Sequence, residues 1–393
     1  MMTSINFAVL GPHNRGSISL LVHRPDEGLR LVALCAASLD NLEIYKETCG
    51  EDILMTCDYR EIMANPDIHA VFVCTPDHLH AEHAIAALNA GKHVFLEKPM
   101  AITIEDCDAI LAAARRTGMK LYVGHNMRFF PVVRKMRELI EAGRIGRVEA
   151  IWCRHFISYG GDAYFKDWHS ERRNITSLLL QKGAHDIDVI HYLAGGYTRS
   201  VVGMGKLSVY NEVTDRRQPD EVSPVAFTRS NWPPSRQKGL SPVIDVEDHN
   251  MILMQLDNGV QASYQQCHYT PDDIRNYTVI GTEGRIENYG DHSSDEWTAT
   301  IHLWNSRRGY AREGNEVFEI PNIEGSHGGA DPLLLEDFVN FLRGNSILGA
   351  TPLDARAAVA TGCLGAASLR DGSMPRIIPS PAGSGNAIFD EGT

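Results

Sequence analysis

The chain of 393 residues has no excess of basic residues: 37 Lys and Arg stand against 50 Asp and Glu, a formal net charge of -13. That balance argues against nucleic acid or an anionic membrane as the main partner. There are eight cysteines but no CxxC pair and no metal-ligand cadence, so no metal is expected. Cys35 and Cys74 fall inside apolar, strand-like runs and read as small core residues, which fits a reduced, cytoplasmic compartment. No apolar run reaches the ~20 residues of a membrane helix. The N-terminal residues go straight into a strand, without the charged and apolar regions of a signal peptide. No internal repeat is present.

What is there is ordinary for a globular protein, 43% hydrophobic and 22% charged, at a length that favours two domains. A short apolar run at 5–10 enters Gly11-Pro12-His13-Asn14-Arg15-Gly16 and then a helical pattern at 17–22. Strand, glycine turn and helix present backbone N–H groups to a pyrophosphate. Gly11 and Gly16 hold the first and third glycine places of the dinucleotide fingerprint, and His13 stands in the second. A second apolar run, 30–37, ends in Ala36-Ala37-Ser38-Leu39-Asp40. The lack of an adjacent arginine or lysine there favours NAD over NADP. A short helix at 59–63 precedes a fully apolar strand, 70–74, which leads into Thr75-Pro76-Asp77-His78-Leu79-His80 and a helix at 81–90.

Strand 93–96 then ends in Glu97-Lys98-Pro99. Proline cannot donate to a sheet ladder, so the strand stops at its carboxyl edge, where open α/β sheets bind ligands. A lysine held there can position a hydroxyl or share its proton; a surface Glu-Lys pair is the plainer alternative. After one more helix, with Thr103 as N-cap, a strand at 120–124 ends in His125-Asn126-Met127-Arg128. The β-α-β-α order predicts a doubly wound parallel sheet, a Rossmann domain over 1–127.

From 128 to 330 the pattern predicts an α+β domain with a large, mostly antiparallel open sheet. It includes a hairpin at Asp257-Asn258-Gly259 and a strand-turn-strand at 277–287. One helix is expected with its core at 177–193, where Gln181 and Asp188 share a face with His185. A core histidine satisfied by Asp188 is the alternative to a site there. The polar, proline-rich stretch 211–242 reads as a solvated loop, or as a lid carrying Arg229 or Arg236. Helices at 332–343 and 354–370 are expected to return to the first domain as a block, 331–378, ahead of a poorly ordered tail at 379–393.

The set Gly11…Gly16, Thr75-Pro76-Asp77-His78…His80, Glu97-Lys98-Pro99 and Val123-Gly124-His125-Asn126-Met127-Arg128 resembles the glucose-fructose oxidoreductase / inositol dehydrogenase (Gfo/Idh/MocA) family over nearly the whole chain. The Glu-Lys-Pro turn is its most specific mark. The resemblance implies a nicotinamide cofactor, NAD with NADP as the alternative, and a sugar, sugar derivative or cyclitol as substrate. It implies Lys98 as the catalytic lysine, often before a cis proline bond, and His185 as general base, both reaching the same dinucleotide ring. It implies cofactor contacts from Gly11, His13, Asn14, Arg15, Ser38, Thr75, Pro76, His78, His80, Glu97, Lys98, Asn126 and Arg128. Substrate contacts are implied from Lys98, Arg128, Tyr159, Trp168, Arg172, Gln181, Lys182 and His185, and a homodimer or homotetramer through the exposed face of the C-terminal sheet.

One departure stands out: Gln181 occupies the place where relatives often carry an acid one turn before the histidine, and it cannot take a proton. That keeps open a glycoside hydrolase that uses NAD catalytically, by transient oxidation, elimination of the aglycone and return of the hydride. A non-catalytic cofactor-binding sensor is the third possibility. Lys166, Arg172, Arg173 and Lys182 are candidates to hold an anionic group such as a sulfonate or phosphate, or are solvated.

Overall fold

Mostly apolar runs of three to seven residues, punctuated by glycine and proline, set the first unit's architecture in the computed structural model, which describes residues 4–219, 221 and 228–381. Six strands, β1 (Ile5–Leu10), β2 (Leu29–Cys35), β3 (Leu54–Thr56), β4 (Ala70–Val73), β5 (His93–Leu96) and β6 (Leu121–Val123), form a parallel sheet in the order β3-β2-β1-β4-β5-β6. Every residue of β4 is buried, as a strand covered on both faces must be. The order reverses between β1 and β4, which opens a crevice at their carboxyl ends for the Gly11 and Thr75 turns. This is the expected Rossmann sheet.

The helical pattern at 17–22 is instead part of a 3-10 helix, Asn14–Val22. Its first turn closes with the Gly16 N–H on the His13 carbonyl, three residues back at 3.0 Å, which is the tighter winding.

This unit takes the chain up to Phe129 and again from Gly329 to Arg356. The returning helix Ala330–Leu342 seats Phe338 among the sheet's aromatic rings, with centroids 6.3 Å from Phe7, 5.6 Å from Phe72, 5.3 Å from Phe95 and 5.5 Å from Tyr122. The Tyr122 hydroxyl donates to Asp337 at 2.8 Å.

The second unit takes Phe130–Gly328 and the chain from Ala357 onward. Helix Pro352–Arg370 therefore divides, where the sequence suggested one block over 331–378. Arg356 still bonds Asp108 of the first unit at 3.0 Å. Beyond it, Gly362 and Gly365 let the helix lie against the second unit. A Cβ at Gly362 would come within 3.0 Å of Leu180 Cα, and one at Gly365 within 2.9 Å of Ile252.

The second unit's strands are β7 (Val148–Phe156), β8 (Thr198–Lys206), β9 (His249–Leu256), β10 (Gln261–Cys267), β11 (Ile274–Gly281), β12 (Arg285–Tyr289), β13 (Thr300–Trp304), β14 (Glu316–Glu319) and β15 (Arg376–Ile377). They form one sheet in the order β14-β13-β12-β11-β7-β10-β9-β8-β15, antiparallel except where β7 runs parallel to β10. The turn at Asp257-Asn258-Gly259 joins β9 to β10 as expected.

The single helix expected around 177–193 is two, Leu178–Gln181 and Gly183–Ala194. Ser177 caps the first through Leu180 N–H at 3.1 Å, and Lys182 stands at the junction. Gly183 opens the second because any side chain would strike Tyr264, whose ring lies 2.9 Å from the Cβ position. Part of the polar stretch 211–242 winds into short turns, Arg229–Asn231 and Pro234–Arg236. Its residues 220 and 222–227, and the tail from 382, lie outside the described residues. No described helix is long and apolar enough to cross a membrane.

Replacing Phe338 by alanine removes the ring on which four others converge. We expect it to cost about 3–5 kcal/mol, read as a lower urea midpoint, with a matched change at exposed Leu333 leaving the midpoint nearly unmoved.

Candidate active site

In the first unit the chain leaves β1 through Gly11, whose φ is 77° and whose N–H bonds the Cys35 carbonyl at 2.9 Å. A Cβ on Gly11 would sit 2.6 Å from the Cys74 carbonyl oxygen, and one on Gly16 only 1.9 Å from the Gly11 carbonyl oxygen. Both glycines are dictated by close backbone approach. His13 is tolerated in the second glycine place because its backbone is extended, with φ -71° and ψ 160°. The positive φ falls on Asn14 instead, at 48°, which asparagine accepts better than most side chains. His13 reaches the Ser38 carbonyl at 3.2 Å, and the Ser38 hydroxyl donates to Asp40 at 2.7 Å. This turn fits a dinucleotide: a glycine-lined backbone at the switch point, with no cation at the tip of β2.

Glu97 does not form a surface pair with Lys98. It is buried, and its carboxylate accepts from Arg15 Nε at 2.7 Å and from the Lys98 backbone N–H at 3.2 Å. Arg15 also grips Asp331 with two bonds, 2.6 and 2.8 Å, and Asn126 donates to the same aspartate at 3.0 Å. Burial opposes the Arg15 charge, but Glu97 and Asp331 more than compensate and raise its pKa. One guanidinium thus ties the phosphate turn, the Lys98 turn and the returning helix together.

The Lys98–Pro99 peptide is cis. His80 lies between two carbonyls, Pro99 O at 2.7 Å and Thr75 O at 2.8 Å, and so bridges the turns after β4 and β5. Burial holds its pKa down at about 4 against the pull of those two acceptors. Thr75 meets His83 at 3.1 Å, Pro76 precedes the turn Asp77–Leu79, His78 is exposed on that turn, and Arg128 pairs with Asp354 at 3.3 Å.

In the second unit, Lys182 and His185 are both partly exposed, three residues apart on one side of the helix, while Gln181 and Asp188 are buried. Arg172 turns away to Glu247, at 3.0 Å, a carboxylate it shares with Arg370. Trp168 stacks on His169 with ring centroids 3.7 Å apart. Tyr159 packs 6.4 Å from the Tyr164 ring and lines a cavity of about 840 Å³ together with Asp162, Arg229, Trp232 and Gln237. Arg236 is not part of that lining.

Beside His185 lies a cluster that the sequence reading missed. Asp186 is fully buried, accepts from His155 at 2.9 Å, the Tyr264 hydroxyl at 3.0 Å and the Tyr277 hydroxyl, and is ion-paired with Arg275, whose Nε lies 3.0 Å away. Burial alone would raise its pKa; Arg275, His155 and Tyr277 outweigh that and hold it below the usual carboxylate range. The sheet register builds this cluster. Tyr277, Cys153 and Tyr264 stand side by side across β11, β7 and β10, and Arg275, His155 and Gln266 form the next inward row. Polar residues at alternate, inward positions of three strands were the available signal, but it shows only once the strand order is known.

Residues 5–125 match the family model described as the oxidoreductase family with an NAD-binding Rossmann fold, and residues 137–376 match its C-terminal alpha/beta domain. The chain belongs to the Gfo/Idh/MocA oxidoreductase family. It is 27% identical to YteT of Bacillus subtilis (strain 168), over 70% of this chain and 72% of that protein. It is 30% identical to levoglucosan dehydrogenase of Pseudarthrobacter phenanthrenivorans, over 59% of this chain and 58% of the relative. A levoglucosan dehydrogenase structure in complex with NADH and L-sorbose shares the fold, with a TM-score of 0.76 at 22% identity over 96% of this chain and 100% of that one. As a member of this family the chain is an NAD-binding oxidoreductase, and the Gly11–Gly16 turn is the part of it that suits the pyrophosphate.

Burial and Arg275 push the His155 pKa down to about 4, so the folded protein keeps it neutral where the unfolded chain takes up a proton. Stability is therefore full above about pH 6.5 and falls as pH drops towards about 4. Thermal midpoints should decline across that window, and less steeply for His155→Gln. Equal slopes would remove His155 from the account.

Proposed function

We propose that the chain oxidises a carbinol of a sugar, sugar derivative or cyclitol, or reduces the matching carbonyl. Lys98 holds the reacting oxygen and His185 moves its proton. The observation that carries this is the lysine's setting. Lys98 stands two residues beyond the end of β5, with its backbone N–H on Glu97 and Glu97 locked by Arg15. A lysine whose backbone is held at the carboxyl edge of a dinucleotide-binding sheet projects its amine from a fixed point. NAD, when bound, accepts or returns the hydride. The chain's own residues do the rest. The Lys98 ammonium donates to the substrate oxygen and favours its anionic form, and the His185 imidazole takes the hydroxyl proton in oxidation and returns it in reduction. The Ser38–Asp40 pair, in place of a basic residue after β2, supports NAD over NADP. The substrate class is taken from levoglucosan dehydrogenase and from the residues already named. The eight free cysteines suit a reducing cytoplasm.

Gln181, buried where a proton-taking acid would serve, favours a second reading: redox-neutral cleavage of a glycoside. An oxidant accumulates NADH with its substrate; a glycosidase releases aglycone without net NADH. Under either reading Lys98→Met and His185→Ala should each lower kcat by roughly 10²–10⁴-fold while NADH binding survives. The double variant should lose far less than the product of the two, since both act on one proton transfer. Near-normal turnover in Lys98→Met would end the assignment.

A homo-oligomer through the second unit's sheet is the accompanying proposal. Across β7, β10, β9 and β8 the row Trp152, Ser263, Leu253 and Val202 faces outward, with Leu253 60% and Trp152 39% exposed. Sedimentation should report a dimer or tetramer, and Leu253→Asp should shift it towards monomer; a monomeric wild type would refute the interface.

A further inference from the structure

Of the four cations that the sequence marks in the second unit, three meet carboxylates. Arg172 pairs with Glu247 at 3.0 Å, Arg173 with Glu171 at 2.9 Å and Lys166 with Asp162 at 2.8 Å. Lys182 pairs with no carboxylate among the described residues; its ammonium lies 5.8 Å from the Tyr164 ring centroid. Burial works against that charge, and the phenols of Tyr159 and Tyr164 sustain it, leaving the pKa above its ordinary value. The nearby charges do not cancel it. Asp186 is answered by Arg275 at 3.0 Å, and Asp291 by Arg275 at 3.5 Å and His292 at 2.8 Å. Lys182 therefore remains as positive charge in excess.

A second observation points the same way. His268 is fully buried, edge-on to Tyr164 with centroids 5.2 Å apart, and neither ring nitrogen has a hydrogen-bond partner among the described residues. An unsatisfied buried imidazole carries a real cost unless something else completes it. Burial, with His155 and Lys182 nearby, keeps it neutral, so it has one N–H to give. Lys182 and His268 flank the same Tyr164 ring, and Lys182 is itself partly exposed.

We propose that Lys182 and His268 form a subsite for a single negative charge, so that the substrate is a monoanionic sugar or polyol bearing a carboxylate or sulfonate. The proposal rests on the sugar-oxidoreductase reading above and narrows its substrate class. One ammonium and one neutral N–H balance one charge; a phosphate dianion would be left half-compensated in a buried place, which is costly.

The test is calorimetric binding to the NADH-loaded protein of D-glucuronate, D-galacturonate and sulfoquinovose, each against its neutral twin, with glucose 6-phosphate as the dianion. At least one monoanion should bind roughly ten- to a hundredfold more tightly than its twin. That ratio should collapse towards one in Lys182→Gln and persist in Lys182→Arg. Rising salt should erode it in the wild type, which serves if the glutamine variant fails to fold. No preference for any monoanion, tightest binding of the phosphate, or a preference unchanged in Lys182→Gln would each overturn the proposal. A monoanion that binds in this way yet yields neither NADH nor aglycone would leave the subsite standing and sink the catalytic reading instead.

Discussion

A carboxylate with no water around it has to be answered by charge and hydrogen bonds, and Asp186 is answered from three strands at once. Arg275 and Tyr277 come from β11, His155 from β7 and Tyr264 from β10. Such a group contributes little net stability, because desolvation consumes most of the Coulombic gain. Its effect is on register. A slip of one residue in any of the three strands would turn the partners to the other face and strand the charge. The helix that carries Asp186 also carries Lys182 at its junction and His185 one position earlier, so the constraint that fixes the sheet fixes the candidate reacting groups as well.

The first unit solves a similar problem with a cation. Arg15 sits in the glycine turn, where the sequence suggests an anionic cofactor as its partner, yet its guanidinium is engaged by Glu97 and Asp331. A bidentate arginine is a rigid connector. The turn that suits the pyrophosphate, the backbone of Lys98 and the helix returning from the far end of the sequence are held by the same group. His80 adds a second bridge, from Thr75 to Pro99. The glycine turn and the backbone of Lys98 are mechanically one piece.

The parallel sheet was legible because its signals are local: apolar runs such as 70–73 and 93–96, closed by Gly11, Thr75-Pro76 and Pro99. The glycine turn was legible for the same reason. What escaped was non-local. The partners of Asp186 lie 31 to 91 positions away in sequence, and nothing in a strand such as β7 says which neighbours it will have. The helix around His185 was foreseen as continuous because apolar spacing runs through Lys182; the break comes from the tight approach of Gly183 to Tyr264, a tertiary fact. The fate of the late helices was likewise settled by packing, by Phe338 in one unit and by Gly362 and Gly365 in the other.

The seat of Phe338 has a consequence for synthesis. The ring that fills the middle of the first unit is encoded far downstream of β1. While a ribosome is still extending the chain, Phe72, Phe95 and Tyr122 lack the ring on which they converge, and the domain cannot finish its core as it emerges. The nascent Rossmann sheet completes its core only after residues 130–328 of the second unit have been made and Asp331 and Phe338 arrive.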